Sequence, residues 1–234
     1  MSQPDEIERI RKVYESQYNA DPNDWAYIWH PRNPVSLTYR QSLERHLVDL
    51  LNRAALKLDE LEVLDVGCGT GNFLRFCLHL GASPHKLHGI DLIQSRVAAA
   101  KQQSPASIEF RPGDAQNLPY PDQSMDLVCF FTVFSSILEA ETRRNVALQA
   151  LRVMRPGGWL LWYDMRRSQT TTTRGLELGE IQALFPGLEL RDLKKIHPAW
   201  GTRIARRSIL AFNLLEWIPL TPRSHYLGLW RKND

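Results

Sequence analysis

The chain is poor in cysteine and has no long apolar run. Three cysteines occur among 234 residues, and the spacing of Cys68, Cys77 and Cys129 fits no metal-ligand pattern, so we expect neither a disulfide nor a metal site. No stretch reaches the roughly 18 consecutive apolar residues that a membrane-spanning helix needs. The first residues lack the basic and apolar regions of a signal peptide, which predicts a cytoplasmic location.

Length and charge limit the size of the fold and the class of partner. With 234 residues, 43% of them hydrophobic, the chain can bury the core of one α/β domain with additional segments. Residues 1–151 carry 15 Lys and Arg against 19 Asp and Glu, whereas residues 152–234 carry 14 against 7. The basic part suits an anionic partner such as a sugar nucleotide, a carboxylate, a phospholipid surface or RNA, or it is a solvated helix face.

The most informative stretch is a glycine-rich turn. An apolar strand predicted at residues 63–66 leads into Gly67, Gly69 and Gly71, and a helix follows from about Asn72. Glycines accept positive φ and let a ligand approach the backbone, and the helix N-terminus favours a carboxylate or phosphate. A dinucleotide fingerprint would need glycine at the sixth position, where Asn72 stands. The pattern indicates a small-ligand turn, with a plain tight turn as the alternative.

Acidic residues end the next two predicted strands. Asp91 ends a strand at residues 87–91, and Asp114 with Ala115 follows a strand at residues 108–110. Ligands bind beyond the carboxyl ends of parallel strands, and an acid about 20 residues past such glycines accepts hydrogen bonds from a ribose. Asp91 fits that role, or it caps the following helix. Asp114 and the Ala115 N–H could bind a purine edge, or Asp114 is a turn residue.

With these blocks in place, the chain resembles the class I S-adenosylmethionine-dependent methyltransferases over about residues 62–164. The resemblance rests on five ordered blocks, at residues 63–71, 89–92, 113–122, 125–131 and 151–160. It implies an α/β fold: a Rossmann-like, doubly wound sheet of seven strands whose last strand is antiparallel. It also implies S-adenosyl-L-methionine as the cofactor.

The resemblance assigns one group of residues to the methionine portion of this cofactor. Gly67 and Gly69 would lie against it, and Asp65 would interact with its amino group directly or through water. The Phe131 backbone carbonyl would help to seat the same amino group. These roles are expectations carried over from the family.

A second group would hold the adenosine. In the family pattern Asp91 binds the ribose and Leu92 packs on the adenine face. Asp114 and Ala115 would read the adenine edge. The resemblance therefore agrees with the hydrogen-bonding roles that the positions of the acids already suggest.

The remaining chain predicts a cap and a lid. An N-terminal helix to about Tyr18, an aromatic segment at residues 21–34 and an amphipathic helix at 36–58 would form a helical cap, residues 1–58. The methyltransferase domain would span residues 59–234, with a lid helix at about 198–217 before the last strand. That helix mixes large apolar residues with arginines, so it either covers the active site or makes peripheral contact with a membrane.

A proton acceptor is harder to predict. An oxygen or nitrogen acceptor must lose a proton on methylation, so a base is expected near the cleft. Many small-molecule relatives have paired histidines after the fourth strand, where this chain has Ser135 and Ser136. His30, Asp164 and His197 are the catalytic candidates. Each has a structural alternative: a satisfied histidine, an acid that pairs or caps a turn, and a loop histidine before a proline.

Function follows from these observations as a prediction. We expect methyl transfer to an oxygen, in preference to a nitrogen, of a small or medium-sized metabolite such as a secondary metabolite or a saccharide intermediate. RNA or peptide methylation is the alternative, yet the turn at residues 131–134 lacks the Asn/Asp-Pro-Pro-aromatic motif and no stacking platform is evident, which disfavours nucleic acid. A catalytically inactive cofactor-binding partner subunit is the other alternative.

Overall fold

A computed structural model describes residues 3–18, 30, 32–167 and 170–233. Within these ranges the strands are β1 (Val63–Val66), β2 (Leu87–Asp91), β3 (Glu109–Pro112), β4 (Met125–Phe131), β5 (Met154–Met165), β6 (Leu188–Pro198) and β7 (Arg223–Lys232). They form one sheet in the order β3-β2-β1-β4-β5-β7-β6. Strand β7 runs antiparallel to both neighbours, and the other pairs are parallel. The predicted seven-stranded sheet with an antiparallel last strand is confirmed.

Helices cover both faces of the sheet. They are α1 (Gln3–Tyr18), α2 (Pro34–Arg53), α3 (Asn72–His79), α4 (Gln94–Gln103), α5 (Ala140–Val153), α6 (Leu178–Leu184), α7 (Gly201–Arg207) and α8 (Ile209–Trp217). No helix in the described ranges combines the length and apolarity that crossing a bilayer requires.

Each face of the sheet has its own hydrophobic core. Apolar residues of α5 and α6 pack with Val66, Phe130 and Trp162 on one face. On the other face the leucines of α2 join α3, α4 and the opposite side chains of the strands. Side chains alternate along a strand, so a strand buried on both faces must be apolar at nearly every position. The sequence of β1 and β4 meets that requirement.

The order of the strands also fixes where a ligand can bind. The chain adds β2 and β3 on one side of β1 and then returns to place β4 on the other side. The loops after β1 and β4 therefore diverge and leave a crevice at the carboxyl ends of the strands. This is the end of the sheet at which the glycine turn lies.

Two predicted boundaries are wrong, as is the structural alternative considered for His197. The helix expected at residues 36–58 ends at Arg53, because Ala54 is the C-cap and Ala55 has φ 52°. The helix expected at about 198–217 is two helices, separated at Ser208, whose extended backbone (φ −159°) and side chain cap α8. His197 lies on β6 and not in a loop, since that strand continues to Pro198.

Candidate active site

The turn after β1 has the conformation that its glycines permit. Gly67, Gly69 and Gly71 have φ of 76°, 52° and 78°. The N–H groups of Gly67 and Cys68 both donate to the carbonyl of Ile90, at 2.8 and 3.0 Å. A Cβ on Gly67 would lie 2.6 Å from Val133 Cγ2, whereas one on Gly69 would meet nothing within 4 Å. The turn is packed on the side of Gly67 and open on the side of Gly69.

Asp91 ties this turn to the end of β2. Its Oδ2 accepts from the Gly69 N–H and its Oδ1 from the Ile93 N–H, both at 2.8 Å. Ile93 is the N-cap of α4, so Asp91 belongs to the turn before the helix and does not cap it. Burial raises the pKa of the Asp91 carboxyl, although the two N–H groups and nearby Arg96 work against the rise. Asp91 thus presents a buried carboxylate beside the open glycine.

Asp65 lies behind the turn in β1. Its side chain is buried, and Oδ1 has no hydrogen-bond partner among the described residues. Burial, with a further contribution from the charge of Asp91, raises the pKa of Asp65 to about 8. A buried carboxyl oxygen without a partner costs free energy unless a donor supplied from elsewhere satisfies it.

A cavity of about 150 Å³ opens at the carboxyl ends of β1, β2 and β4. Six of the eight residues predicted to bind the cofactor line it, namely Gly67, Asp91, Leu92, Asp114, Ala115 and Phe131. The other two are next to it, since Gly69 donates to Asp91 and Asp65 is in the strand that leads into the turn. Asp114 is held at the rim by the Gln116 N–H, which donates to its Oδ1 at 2.9 Å.

Helix α1, predicted as part of a helical cap, covers this cavity through side chains that were not among the predicted site residues. Ile7, Ile10 and Tyr14 of α1 line it opposite the strand ends. These residues recur at i, i+3 and i+7, which is the spacing of one helix face, so the signal for a buried stripe was present. The spacing does not identify the surface against which this stripe packs.

A buried ion pair fastens α1 to the loop between β4 and α5. The Glu6 side chain is buried and pairs with Arg9 at 2.8 Å. Glu6 Oε1 accepts from the Leu138 N–H at 2.5 Å, and Arg9 Nη2 donates to the Ser136 carbonyl at 2.6 Å. The Tyr14 hydroxyl is hydrogen-bonded to Ser136 Oγ. Together Glu6 and Arg9 form what we call the α1 latch.

Asp164, a catalytic candidate, is buried at the end of β5 and does not line the cavity. Its Oδ2 accepts from the Ser135 N–H at 3.0 Å and its Oδ1 from the Met165 N–H at 2.8 Å. Burial raises the pKa of this carboxyl to about 6, against the opposing effect of these hydrogen bonds. Oδ2 therefore holds the loop that carries Ser135 and Ser136, while Oδ1 is bound within β5.

His197 is fully buried near the end of β6. Its Nδ1 lies 3.3 Å from Glu216 Oε1, and its Nε2 has no partner among the described residues. If Nδ1 carries the proton and donates it to Glu216, Nε2 has a free lone pair. Burial lowers the pKa of His197, although Glu216 acts in the opposite direction. A neutral imidazole with an unused lone pair can accept a proton.

A row of rings connects His197 to the cavity. The Phe131 ring, at the cavity wall, lies 6.1 Å from that of Tyr163, which stacks on His225 at 5.0 Å. His225 in turn lies 5.3 Å from His197. Phe212 of α8 is near the far side of His197, at 6.4 Å between ring centroids. The row crosses the sheet from β4 through β5 and β7 to β6.

His30 is not brought to this site. It does not line the cavity, and its Nδ1 accepts from the Arg32 N–H at 3.2 Å. The aromatic residues Trp25, Tyr27 and Trp29 of the N-terminal segment lie outside the described residues.

Comparison with known proteins agrees with this geometry. Residues 63–158 match a family described as a methyltransferase domain. Phthiotriol/phenolphthiotriol dimycocerosates methyltransferase 1 of Mycobacterium ulcerans is 33% identical over 180 residues, which cover 74% of this chain and 60% of that protein. A fatty-acid O-methyltransferase of Mycolicibacterium smegmatis is 33% identical over 147 residues, which cover 61% of this chain and 52% of that protein. The chain therefore spans little more than half the length of these relatives.

Solved structures support the same fold. A Methanosarcina mazei protein described as an S-adenosylmethionine-dependent methyltransferase superposes with a TM-score of 0.59 at 16% identity, covering 78% of this chain and 97% of that one. At that identity the likeness concerns the fold alone. Taken with the matched domain and the sequence relatives, it shows that the chain contains a methyltransferase domain with the fold of S-adenosylmethionine-dependent methyltransferases.

Proposed function

We propose that this chain binds S-adenosylmethionine in the cavity beyond β1 and transfers its methyl group to an oxygen of an amphiphilic metabolite. The observation that carries the proposal is the convergence of six separately predicted residues on one cavity. They lie at or just beyond the carboxyl ends of four different strands, so their meeting depends on the tertiary fold. The roles below follow from that arrangement.

The methionine end of the cofactor fits the region around Asp65. A ligand ammonium group would satisfy the buried Oδ1 that has no protein partner. An opposite charge nearby favours ionisation, so it would also lower the raised pKa of Asp65. The open space beside Gly69 allows the ligand to approach the backbone there. The Phe131 carbonyl would be a second acceptor for the ammonium.

The adenosine end fits the opposite wall of the cavity. Asp91 would accept hydrogen bonds from the ribose hydroxyls while the Gly69 and Ile93 N–H groups hold its carboxylate in place. Leu92 would cover one face of the adenine. Asp114 and the Ala115 N–H would pair with its edge, where an exocyclic amine and a ring nitrogen require an acceptor and a donor.

The bound sulfonium supplies an activated methyl group, so the protein has to position the acceptor and exclude water. The α1 helix provides the exclusion, because Ile7, Ile10 and Tyr14 close the cavity opposite the strand ends. The α1 latch would hold this cover in place during the reaction.

Among the three predicted bases, we propose His197 for the acceptor proton. None of the three lines the cavity. Asp164 already accepts two backbone N–H groups, and His30 Nδ1 accepts from the Arg32 N–H. His197 alone of these has a buried proton-accepting atom without a described partner. Because Phe212 and Glu216 of α8 cover it, an acceptor would reach it only after the α7 and α8 segment shifts.

The class of acceptor is suggested by the relatives and by the rings near His197. The M. smegmatis relative is named for O-methylation of fatty acids. The row of Phe131, Tyr163 and Phe212 would suit an acceptor with an apolar chain beside the reacting oxygen. Our proposal is therefore a carboxyl or hydroxyl oxygen attached to an aliphatic chain.

Titration calorimetry with S-adenosylhomocysteine tests the cofactor site first. We expect the native chain to bind and Asp91→Ala to lose at least about tenfold in affinity, the effect of one or two charge-assisted hydrogen bonds. Asp59→Ala, which removes an exposed acid away from the cavity, is the matched control. Absence of binding by the folded native chain would disprove the proposal at its first step.

Turnover is tested separately by following S-adenosylhomocysteine release with fatty acids and long-chain alcohols as acceptors. His197→Asn should reduce kcat by about 100-fold, the usual contribution of a general base, and leave cofactor affinity unchanged. Tight cofactor binding with no product from any acceptor would instead favour an inactive cofactor-binding subunit. Methylation of short polar acceptors only would contradict the proposed aliphatic class.

A further inference from the structure

The segment of α7 and α8 exposes an unusual number of large apolar side chains. Leu214, Trp217 and Leu220 are 58%, 83% and 93% exposed. With their exposed neighbours they form what we call the α8 patch, composed of Trp200, Leu210, Leu214, Trp217, Ile218 and Leu220. Single exposed leucines are normal on a soluble domain, but six exposed large apolar side chains between residues 200 and 220, two of them tryptophans, indicate an interaction surface.

The geometry of α8 explains why the patch faces outward. Leu210, Leu214 and Trp217 stand at i, i+4 and i+7, so they share one face of the helix. Phe212 points the other way, where it is fully buried against Tyr39 at 4.9 Å. The helix therefore already has an anchored inner face and presents a second apolar face to solvent. A helix that is apolar on both faces needs a second apolar environment.

Three arginines lie on α7, the helix that directly precedes α8. Arg203, Arg206 and Arg207 on α7 are exposed, and none forms an ion pair with a described residue. The only acid between residues 198 and 222 is Glu216, which is turned inward and bound by Arg45, Ser42 and His197. The outer surface of the segment is thus apolar and positively charged, with no exposed acid of its own.

This combination favours one occupant. A second copy of the chain, docked face to face across a two-fold axis, would bring these arginines toward one another with no acid in the patch to pair with them. An anionic lipid surface matches both properties, since tryptophan and leucine enter the boundary between headgroups and acyl chains and arginine pairs with the phosphates.

We propose that the α8 patch, together with Arg203, Arg206 and Arg207, binds the surface of a membrane that contains anionic lipids. The inner face of α8 holds the patch to the domain through Phe212 and Glu216, so the chain would rest on the surface without spanning it. Lipid binding is measured without the cofactor or an acceptor, so its failure is distinguishable from failure of the proposed enzyme activity.

Vesicle sedimentation of the full chain tests the proposal. With vesicles of phosphatidylcholine and 30% phosphatidylserine, a proportion we choose for the assay, the native chain should pellet at low salt and partly return to the supernatant as salt rises. Arg206→Glu with Arg207→Glu should weaken binding by at least about tenfold, since each basic residue near such a surface contributes appreciably. Leu214→Ser with Trp217→Ser should abolish it.

The controls use a comparable exposed pair on α5. Arg144→Glu and Leu148→Ser change an exposed arginine and a leucine that is 60% exposed, and neither should alter pelleting. Circular dichroism must show that every variant is folded. The proposal is overturned if the folded native chain stays in the supernatant. It is equally overturned if the chain forms a concentration-dependent dimer that the Leu214→Ser and Trp217→Ser changes dissociate.

Discussion

The buried carboxyl of Asp65 lowers the stability of the folded chain when it ionises, although the same carboxylate is the group proposed to bind the ligand. Its pKa of about 8 in the folded protein lies above its ordinary value of 3.8. Between these values the unfolded chain has released a proton that the folded chain retains. The free energy of unfolding therefore falls as the pH rises through that window, and the stabilising effect of protonation is complete only below about pH 4.

The first prediction concerns Asp65→Asn. Because the amide does not ionise, the variant should gain stability over the native chain, by on the order of 1–3 kcal/mol at pH 8 and by less at pH 5. Urea unfolding at the two pH values measures this difference. An equal gain at both would show that Asp65 does not titrate in the window. The same variant should bind S-adenosylhomocysteine more weakly, since the amide cannot pair with an ammonium as a carboxylate does.

Two glycines of the turn give a matched comparison. Gly67→Ala places a methyl 2.6 Å from Val133 Cγ2 at a φ of 76°. It should destabilise the chain by about 2–3 kcal/mol through strain and overpacking. Gly69→Ala meets no atom within 4 Å, so it should cost only about 1 kcal/mol, for positive φ alone.

The loss of ligand affinity should be larger for Gly69→Ala than for Gly67→Ala, which is the reverse of the order expected for stability. Gly69→Ala, once folded, should bind S-adenosylhomocysteine at least about tenfold more weakly, because its methyl occupies space needed by the ligand. Chemical unfolding and calorimetry on both variants measure the two effects. If Gly69→Ala binds normally, the open side of the turn is not the ligand side.

At the scale of elements, the α1 latch is the contact that we expect to control access to the cavity. Burial acts to raise the pKa of Glu6, but Arg9 and the Leu138 N–H outweigh it, so the pKa is lowered overall. A carboxyl with a lowered pKa stabilises the fold above its ordinary value of 4.5 and loses that contribution as the pH falls through the folded-state value. Docking of α1 should therefore weaken in acid.

Glu6→Gln tests the latch at neutral pH. We expect faster hydrogen exchange throughout α1 and release of S-adenosylhomocysteine about tenfold faster, the effect of losing one charge-assisted interaction. Glu8→Gln is the control, because Glu8 is on the same helix with only exposed partners. Equal effects of both changes would mean that charge on α1, and not the latch, determines release.

Elements with a local signal were predicted well. The strand, glycine turn and helix around β1 and α3 could be read from an apolar run, three glycines and the start of a helical pattern, all within about twenty residues. The position of α1 could not be predicted in this way, because its latch joins residues 127 and 132 positions apart. Propensity describes a helix but does not say where it docks.

Two errors had local signals that point to the right answer. Ser208 precedes an apolar run, which is the pattern of an N-cap, and it caps α8 through the Ala211 N–H. Pro198 suggested a loop as the structural alternative for His197, yet β6 is an edge strand, where a proline is tolerated because no neighbour needs its N–H. The sequence does not reveal that β6 is at the edge, because strand order is a property of the whole sheet.

For the whole molecule, the reversal of strand order between β1 and β4 brings the separately predicted residues together. The glycine turn, Asp91 and Asp114 follow three consecutive strands on one side, and Phe131 follows β4 on the other. A ligand in the crevice therefore connects both halves of the sheet. Binding should stabilise the entire fold against unfolding and not only one loop.

This coupling gives the last prediction. At 100 times its dissociation constant, a ligand that binds only the folded state adds about 2.7 kcal/mol, which for a chain of this size raises Tm by about 5–10 °C. S-adenosylhomocysteine should reach that shift in differential scanning calorimetry, whereas adenosine alone should give less at equal concentration and methionine almost none. The order follows from our proposal, in which the homocysteine conjugate would contact Asp65 and Asp91 together. If adenosine stabilised the chain as strongly as the conjugate, the orphaned oxygen of Asp65 would have no part in binding.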